Sequence, residues 1–339
     1  MSERYSRQEL FVPIGVEGQS KIGEKHVLVI GAGALGTGSA EVLVRAGVGK
    51  LTIVDRDYVE WSNLQRQQLY TENDAKQRIP KAIAARERLA HINSEVDIVS
   101  HVMDVSVEEL VMLVKDVDLI MDATDNFDIR MIINDISQKY QIPWIYGACV
   151  GSYGIAYTIL PGETPCLHCL LQTVPMEGVT CDTVGIISPA VQMVVSFQAT
   201  EALKILVEDY QALRKKLVSF DLWKNHHAAI SVDKMKKESC LSCGTHRTYP
   251  HLAFSNQTKT VALCGRDTVQ IRPPEPMDRN LESLANVLSG QGRKVSQNPY
   301  LLSFSVGHHR LVIFKDGRVL VHGTKDIAKA RTLYHRYLG

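Results

Sequence analysis

The chain has 339 residues, 45% apolar and 22% charged, which is enough to bury a sizeable core and excludes a disordered chain, a collagen-like fibre and a low-complexity scaffold. Its 38 Lys and Arg against 37 Asp and Glu leave a net charge of +1, so bulk electrostatics give no case for nucleic-acid binding. There is no run of 18 apolar residues and no N-terminal apolar stretch, so neither a membrane-spanning helix nor a signal peptide is expected, and a cytoplasmic location is.

Residues 26–30 form a short apolar run ending at glycines, the pattern of a parallel strand buried on both faces. Helical spacing follows from 34 to 46, and residues 50–55 read as a second strand. Further β-like runs lie at 95–102 and 117–123, with helical stretches near 80–91, 106–115 and 127–139. This alternation predicts an α/β fold with a Rossmann-like doubly wound sheet. Beyond Pro143 the pattern changes. Strands at 143–150 and 153–160 are separated by Gly151, then come a Gly, Thr and Cys-rich loop at 172–187 and a long helix at 189–207. Strands at 216–222 and 227–233 complete a half that leans antiparallel, making the sheet mixed. Residues 1–245 are read as the core and 246–257 as a linker. Residues 258–339 are read as a small α+β domain: a strand at 267–272, a helix at 280–289, a strand near 300–306, a hairpin at 309–322 turning on Asp316-Gly317, and a helix at 325–338.

Gly31, Gly33 and Gly36 stand in G-x-G-x-x-G spacing between a strand and a helix, with Ala34 inside the motif. Glycines let the backbone approach a phosphate, and the helix N-terminus offers unpaired N–H groups and a positive dipole end. Asp55 ends the next strand, where an acceptor for ribose hydroxyls is expected. The motif leaves NAD and ATP both open, but no P-loop signature is present. A cluster of polar and basic residues then departs from what a dehydrogenase needs: Asp57, Ser62, Asn63, Leu64, Gln65 and Arg66, then Lys81 after Pro80, with Arg4 and Arg7 near the start. Cations facing a triphosphate stabilise charge moving onto departing pyrophosphate. Asp125 and Asn126 follow a strand at the edge where an open α/β sheet binds ligands, and a carboxylate beside phosphates suits Mg²⁺.

Together with Pro165-Cys166, Cys169, Thr180-Cys181, Gln198 to Ala202, and Cys240 with Cys243, these residues resemble the ThiF/MoeB/HesA family, bacterial relatives of ubiquitin-activating enzymes, across residues 4 to about 244. The resemblance implies ATP-dependent adenylation of the C-terminal glycine carboxylate of a ubiquitin-like sulfur-carrier protein with a Gly-Gly tail. That carrier would serve molybdopterin or thiamine synthesis. It also implies that Asp55 holds the ribose, that Gly33 and Ala34 line the phosphates, and that Asn63, Arg66 and Lys81 contact the triphosphate. Asp125 would bind Mg²⁺, and Arg7 would reach into the partner subunit of a homodimer. Two departures from the family pattern are Ala34, often Gly there, and residues 74–80, which lack a glycine usual just before the lysine. A relative activating another carboxylate, such as that of a modified tRNA base, and an NAD-dependent oxidoreductase are the alternatives.

Cys166, Cys169, Cys240 and Cys243 form two Cys-x-x-Cys knuckles, the donor set of a closed structural Zn²⁺ site. By resemblance Cys181 is a candidate sulfur-relay or thioester residue; as a residue it is equally a dispensable loop cysteine. The residues after Cys264 read as a strand rather than as part of a rhodanese domain, so sulfur is expected from a separate donor protein.

Overall fold

The computed structural model describes residues 3–171, 184–253, 260–262, 267–272 and 277–338, with only the backbone described at 260–262. Cys181 and Cys264 lie outside the described residues. The chain divides into two compact units, Met1–Lys76 with Pro80–Ser255, and Gln77–Ile79 with Asn256–Gly339.

The first unit is built on an eight-stranded sheet. Its strands are β1 (His26–Ile30), β2 (Lys50–Asp55), β3 (Asp97–Val102), β4 (Leu119–Asp122), β5 (Trp144–Val150), β6 (Tyr153–Ile159), β7 (Lys216–Asp221) and β8 (His226–Ser231). The order is β3-β2-β1-β4-β5-β6-β7-β8. The first five strands pair in parallel and the last three antiparallel. Every residue of β1 is buried, because helices cover both faces of the sheet. On one face, Leu28, Ile30 and Trp144 pack with Leu110 of α6 (Val107–Leu113), with Ile133 and Ile136 of α7 (Phe127–Tyr140) and with Leu167 and Leu170 of α8 (Leu167–Leu171). On the other, Leu35 of α3 (Ala34–Arg45) packs with Val191 and Val194 of α9 (Ser188–Leu206) and with Phe220. The order reverses between β1 and β4, so the loops after these strands flank a crevice at their C-terminal ends.

Four helices lie where the sequence reading placed none: α1 (Ser6–Glu9), α2 (Gly15–Glu24), α4 (Glu72–Gln77) and α8. Helix α2 carries Gly15, Gly18 and Gly23, which hid its periodicity. At Gly18 the glycine serves packing, since a Cβ there would lie 3.0 Å from Val207. The first part of the stretch read as a linker is tied down: residues 250–252 form a 3₁₀ turn, and His251 N donates to Asp135 Oδ2 at 2.9 Å.

The second unit holds a six-stranded antiparallel sheet: β9 (Thr260–Ala262), β10 (Thr268–Ile271), β11 (Val295–Gln297), β12 (Leu301–Val306), β13 (His309–Phe314) and β14 (Val319–His322), in the order β11-β12-β13-β14-β10-β9. Leu281, Ala285 and Leu288 of α10 (Leu281–Gly290) and Ala330 and Leu333 of α11 (Ile327–Leu338) close its core against Val269, Leu302, Phe304 and Leu311. The β13–β14 hairpin turns at Asp316 and Gly317, where Gly317 takes φ +85°. The short strands β9 and β11 are additions to the sequence reading.

Candidate functional site

The three loop glycines have different physical tasks. Gly31 has φ +98°, and a Cβ there would come within 2.5 Å of the Ala123 carbonyl oxygen, so the loops after β1 and β4 touch at the switch point. A Cβ on Gly36 would be driven into the carbonyl of Gly31. Both glycines are required by packing. Gly33 is not: its φ is −81°, and a Cβ there would meet nothing nearer than Gln67 Nε2 at 3.9 Å. Gly33 is also the N-cap of α3, and no side chain caps that helix. The open space therefore lies in front of the helix N-terminus, where the amide of Ala34 begins the helix.

Asp55 closes this cradle from β2. Its Oδ2 accepts from Ala32 N and its Oδ1 from Asp57 N, both at 2.6 Å. Burial pushes its carboxyl pKa up, while the Lys81 charge pulls it back. Lys81 opens α5 (Lys81–Ile92), placed by a bridge between Tyr58 and Pro80 and by its own N–H donating to Asp57 O at 2.9 Å. Only 3% of Lys81 is exposed, and its Nζ lies 3.6 Å from Asp57 Oδ2. Tyr70 Oη donates to Ala32 O at 2.6 Å and lies 3.2 Å from Lys81 O, so the segment after residue 60 is held against the glycine loop. Within it, Asn63 is buried and its Oδ1 accepts from Glu60 N, forming a capping box around the Trp61–Asn63 turn. Arg66 is half-buried and donates to Ser62 O at 2.9 Å. Gln65 is exposed and reaches Ile186 O at 3.5 Å, and Leu64 is half-buried.

After β4, Asp122 is fully buried and committed to the fold. It accepts from Thr124 N and Oγ1 through Oδ1, and from Arg130 Nε through Oδ2 at 3.0 Å. Burial opposes the charge of Arg130, but Asp122 outweighs it and the guanidinium pKa is raised. Gln198 of α9 donates to Asp122 O and Ile145 O, tying β4 to β5. Asp125, by contrast, is exposed, with Oδ1 3.9 Å from Arg56 Nη2. Arg56 Nη1 also donates to Asp104 Oδ1 at 3.3 Å, so one guanidinium joins the loops after β2, β3 and β4. Asn126 serves as the N-cap of α7 and accepts from Asp128 N at 2.9 Å.

The structure therefore brings Gly31, Gly33, Ala34, Gly36, Asp55, Asp57, residues 62–67 and Lys81 to one crevice, with Asp125 at the adjoining loop. Arg7 lies apart from it. It is an exposed residue of α1, whose neighbour Gln8 donates to Ala46 O just past the C-terminal end of α3. Ala34 and Ala46 are about 18 Å apart along the helix at 1.5 Å per residue. Sequence reasoning missed Arg56, Tyr70 and Arg130; a lone arginine between two aspartates or four residues past an N-cap carries no one-dimensional signal of burial.

Elsewhere in this unit, Cys166, Cys169, Cys240 and Cys243 are all buried, with sulfurs within 4.8 Å of one another. Cys166 and Cys240 sulfurs are 3.7 Å apart and those of Cys169 and Cys243 3.6 Å apart, too far for disulfides. A tetrahedral ion with bonds of about 2.3 Å requires sulfur–sulfur edges of about 3.8 Å, so the donor set fits such an ion. His168 points away from ligation: its Nδ1 lies 3.5 Å from Ser242 Oγ and its ring stacks edge-on against His251.

A family model described as the ThiF family matches residues 5–242. The chain is 55% identical over all 339 residues to a Bacillus subtilis (strain 168) protein named sulfur carrier protein ThiS adenylyltransferase, with both chains fully covered. It is 33% identical over 245 residues to the Escherichia coli (strain K12) molybdopterin-synthase adenylyltransferase, covering 71% of this chain and 96% of that one. Among solved structures, that of E. coli MccB with MccA-N7isoASN shares the fold with a TM-score of 0.63 at 20% identity, over 72% of this chain and 76% of that one. Among the described residues, no helix is long and apolar enough to cross a membrane.

Proposed function

The chain belongs to the ThiF family, and from that premise we propose that it adenylates the C-terminal glycine carboxylate of a ubiquitin-like sulfur-carrier protein of the ThiS type. The carboxylate oxygen attacks the α-phosphorus of ATP, the bond from that phosphorus to the bridging oxygen breaks, and the electron pair leaves with pyrophosphate. The observation that carries this reading is the unfilled space at Gly33 in front of an uncapped helix, with buried Lys81 in the same crevice. A nicotinamide dinucleotide gives that lysine no task. The full-length identity to a ThiS adenylyltransferase, against 71% coverage by the molybdopterin-synthase enzyme, favours a ThiS-type carrier and thiamine synthesis over a MoaD-type one.

In this scheme the α3 amides from Ala34 onward receive phosphate oxygens, and Asp55 receives the ribose hydroxyls through its remaining lone pairs. Lys81 and Arg66 stabilise the charge that grows on pyrophosphate, while Asn63 lines the triphosphate. Asp125 would hold Mg²⁺, which when bound neutralises phosphate charge. The placement of α1 at the far end of α3 supports supply of Arg7 to the crevice of a second copy, in a homodimer with shared sites. The four sulfurs would hold a Zn²⁺ ion that is structural, because four protein ligands leave no open position. A separate protein would supply the sulfur in the cytoplasm, and Cys181 would serve as the sulfur-relay or thioester residue.

ATP–pyrophosphate exchange tests the reading, with a ThiS-like carrier, a MoaD-like carrier and each carrier lacking its Gly-Gly tail. Exchange is expected only with intact tails and more strongly with the ThiS-like carrier. Exchange with neither would refute carrier adenylation, and a preference for the MoaD-like carrier would refute the pathway.

A further inference from the structure

We propose that the first unit carries a second ligand site, a cavity for a small organic cation at the opposite edge of the sheet from the glycine loop. The cavity has a volume of about 400 Å³, within the range of small-molecule sites. It lies where β2 and β3 begin, between Gly49 and Val96, and its other walls come from α1 and α2 through Tyr5, Glu9 and Gly23. β2 is six residues long, so about 20 Å separate the cavity from Asp55 at roughly 3.3 Å per residue. Glu9 is the feature that the fold does not use. It is only 8% exposed, and its Oε2 is buried without a hydrogen-bond partner. A carboxylate taken from water with no donor and no counter-ion is costly. The polar side chains that share its wall are committed elsewhere. Gln19 Nε2 donates to Ala46 O at 2.9 Å, and Tyr5 Oη donates to Glu95 Oε2 at 3.4 Å.

Charge selects the occupant. None of the described residues lining the cavity is Lys, Arg or His, whereas Glu9 and Glu95 both line it. The C-terminal ends of three helices add their negative dipole ends. Gly23 lies in the last turn of α2, Gly47 two residues past α3, and Glu95 three residues past α5. Basic residues of the surrounding elements are engaged elsewhere: Arg4 donates to Ile92 O at 3.1 Å, and Lys21 pairs with Glu17 and Glu208. The Tyr5 ring packs on Gly47, where a Cβ would come within 2.5 Å of it, and so adds an aromatic wall beside the carboxylates. Two carboxylates in a space this wide are too few for a dedicated inorganic ion. They suit an ammonium, amidinium or guanidinium group carried on a compact body.

Isothermal titration of the full-length chain with benzamidinium, and with benzamide as its uncharged counterpart of the same shape, tests the site. Benzamidinium is expected to bind one per chain, about tenfold or more tighter than benzamide, with the same Kd whether or not ATP is present. Glu9→Gln should weaken benzamidinium by about 10- to 100-fold, the loss of one charge-assisted hydrogen bond. It should also leave the ligand-free melting temperature equal or higher, because it removes an uncompensated buried charge. Gly23→Leu is the second variant. A Cβ at Gly23 meets nothing nearer than Gly47 O at 4.0 Å, so the longer side chain should fill the space and abolish binding in a folded chain. No binding of benzamidinium to wild type, or equal binding of benzamide, would overturn the proposal. Wild-type affinity in either folded variant would do the same. Displacement by ATP would assign the binding to the crevice instead, and displacement by millimolar Mg²⁺ or K⁺ would assign the cavity to an inorganic ion.

Discussion

Gly33→Ala separates what the fold needs from what the ligand needs. A Cβ at this position has no neighbour closer than 3.9 Å, and φ −81° is open to alanine. Loss of unfolded-state freedom stabilises by about 0.4–1 kcal/mol, and alanine as an N-cap costs a similar amount. The melting temperature should therefore move by no more than a few degrees. The same methyl group occupies the space in front of the α3 amides. Displacing a triphosphate from two charge-assisted hydrogen bonds, each about 1.5–3 kcal/mol, costs about 3 kcal/mol or more. The Kd for ATP should rise about 100-fold at least. Gly31→Ala and Gly36→Ala provide the contrast, because their methyl groups collide with the carbonyls of Ala123 and Gly31 and should lower the melting temperature strongly. Thermal melts and isothermal titration with ATP read both quantities. Wild-type ATP affinity in a folded Gly33→Ala chain would refute the phosphate cradle, and a large loss of stability would refute the claim that packing leaves this glycine free.

Lys81→Ala and Arg66→Ala should each slow pyrophosphate exchange by about 10²–10³-fold, the cost of one pre-organised charge; a change below threefold in both would remove them from the reaction. Cys240→Ser should lower bound zinc and melting temperature together, measured by metal analysis and calorimetry, and an unchanged metal content would reject the four-sulfur site. His26 is held neutral between Asp116 O and Thr52 Oγ1, and burial lowers its pKa below the ordinary 6.5. Its contribution to stability is complete above that value and is lost as pH falls through and below it, because the unfolded chain takes up the proton first. The drop in melting temperature between pH 7.5 and 5.5 should shrink in His26→Gln; an equal drop would assign the acid sensitivity to other groups.

The sheet was legible in the sequence because burial on both faces writes continuous apolar runs. β1 and β2 fall within the residues expected of them, and the later strands differ by a residue or two at their ends. α2 was not legible, since three glycines, of which Gly18 serves close packing, erase the helical signal. The crevice was legible as a set of residue types, but not as a division of labour. Sequence spacing treats Gly31, Gly33 and Gly36 alike, and only the surrounding atoms show that two serve the backbone and one leaves space. It likewise treats Asp122 and Asp125 as neighbouring acids. In three dimensions Asp122 is spent on Arg130 and Thr124, whereas Asp125 remains at the surface.

That division follows from the cost of buried charge. Asp122 and Arg130 sit where removal of either partner leaves the other uncompensated, a loss of about 3–5 kcal/mol. Their pairing fixes the start of α7, since Arg130 also donates to Thr124 O and Gly147 O. The same helix braces the four-sulfur cluster one side chain at a time. Asn134 Oδ1 accepts from Leu167 N inside the first knuckle, and Asp135 Oδ2 accepts from His251 N beyond the second. Both acceptors are fully buried. Opening the cluster would leave them unpaired at about 1–3 kcal/mol each. Helix α7 thus carries a surface carboxylate next to its N-terminus, where a ligand can claim it. Along its length it carries buried acceptors that the fold has already claimed.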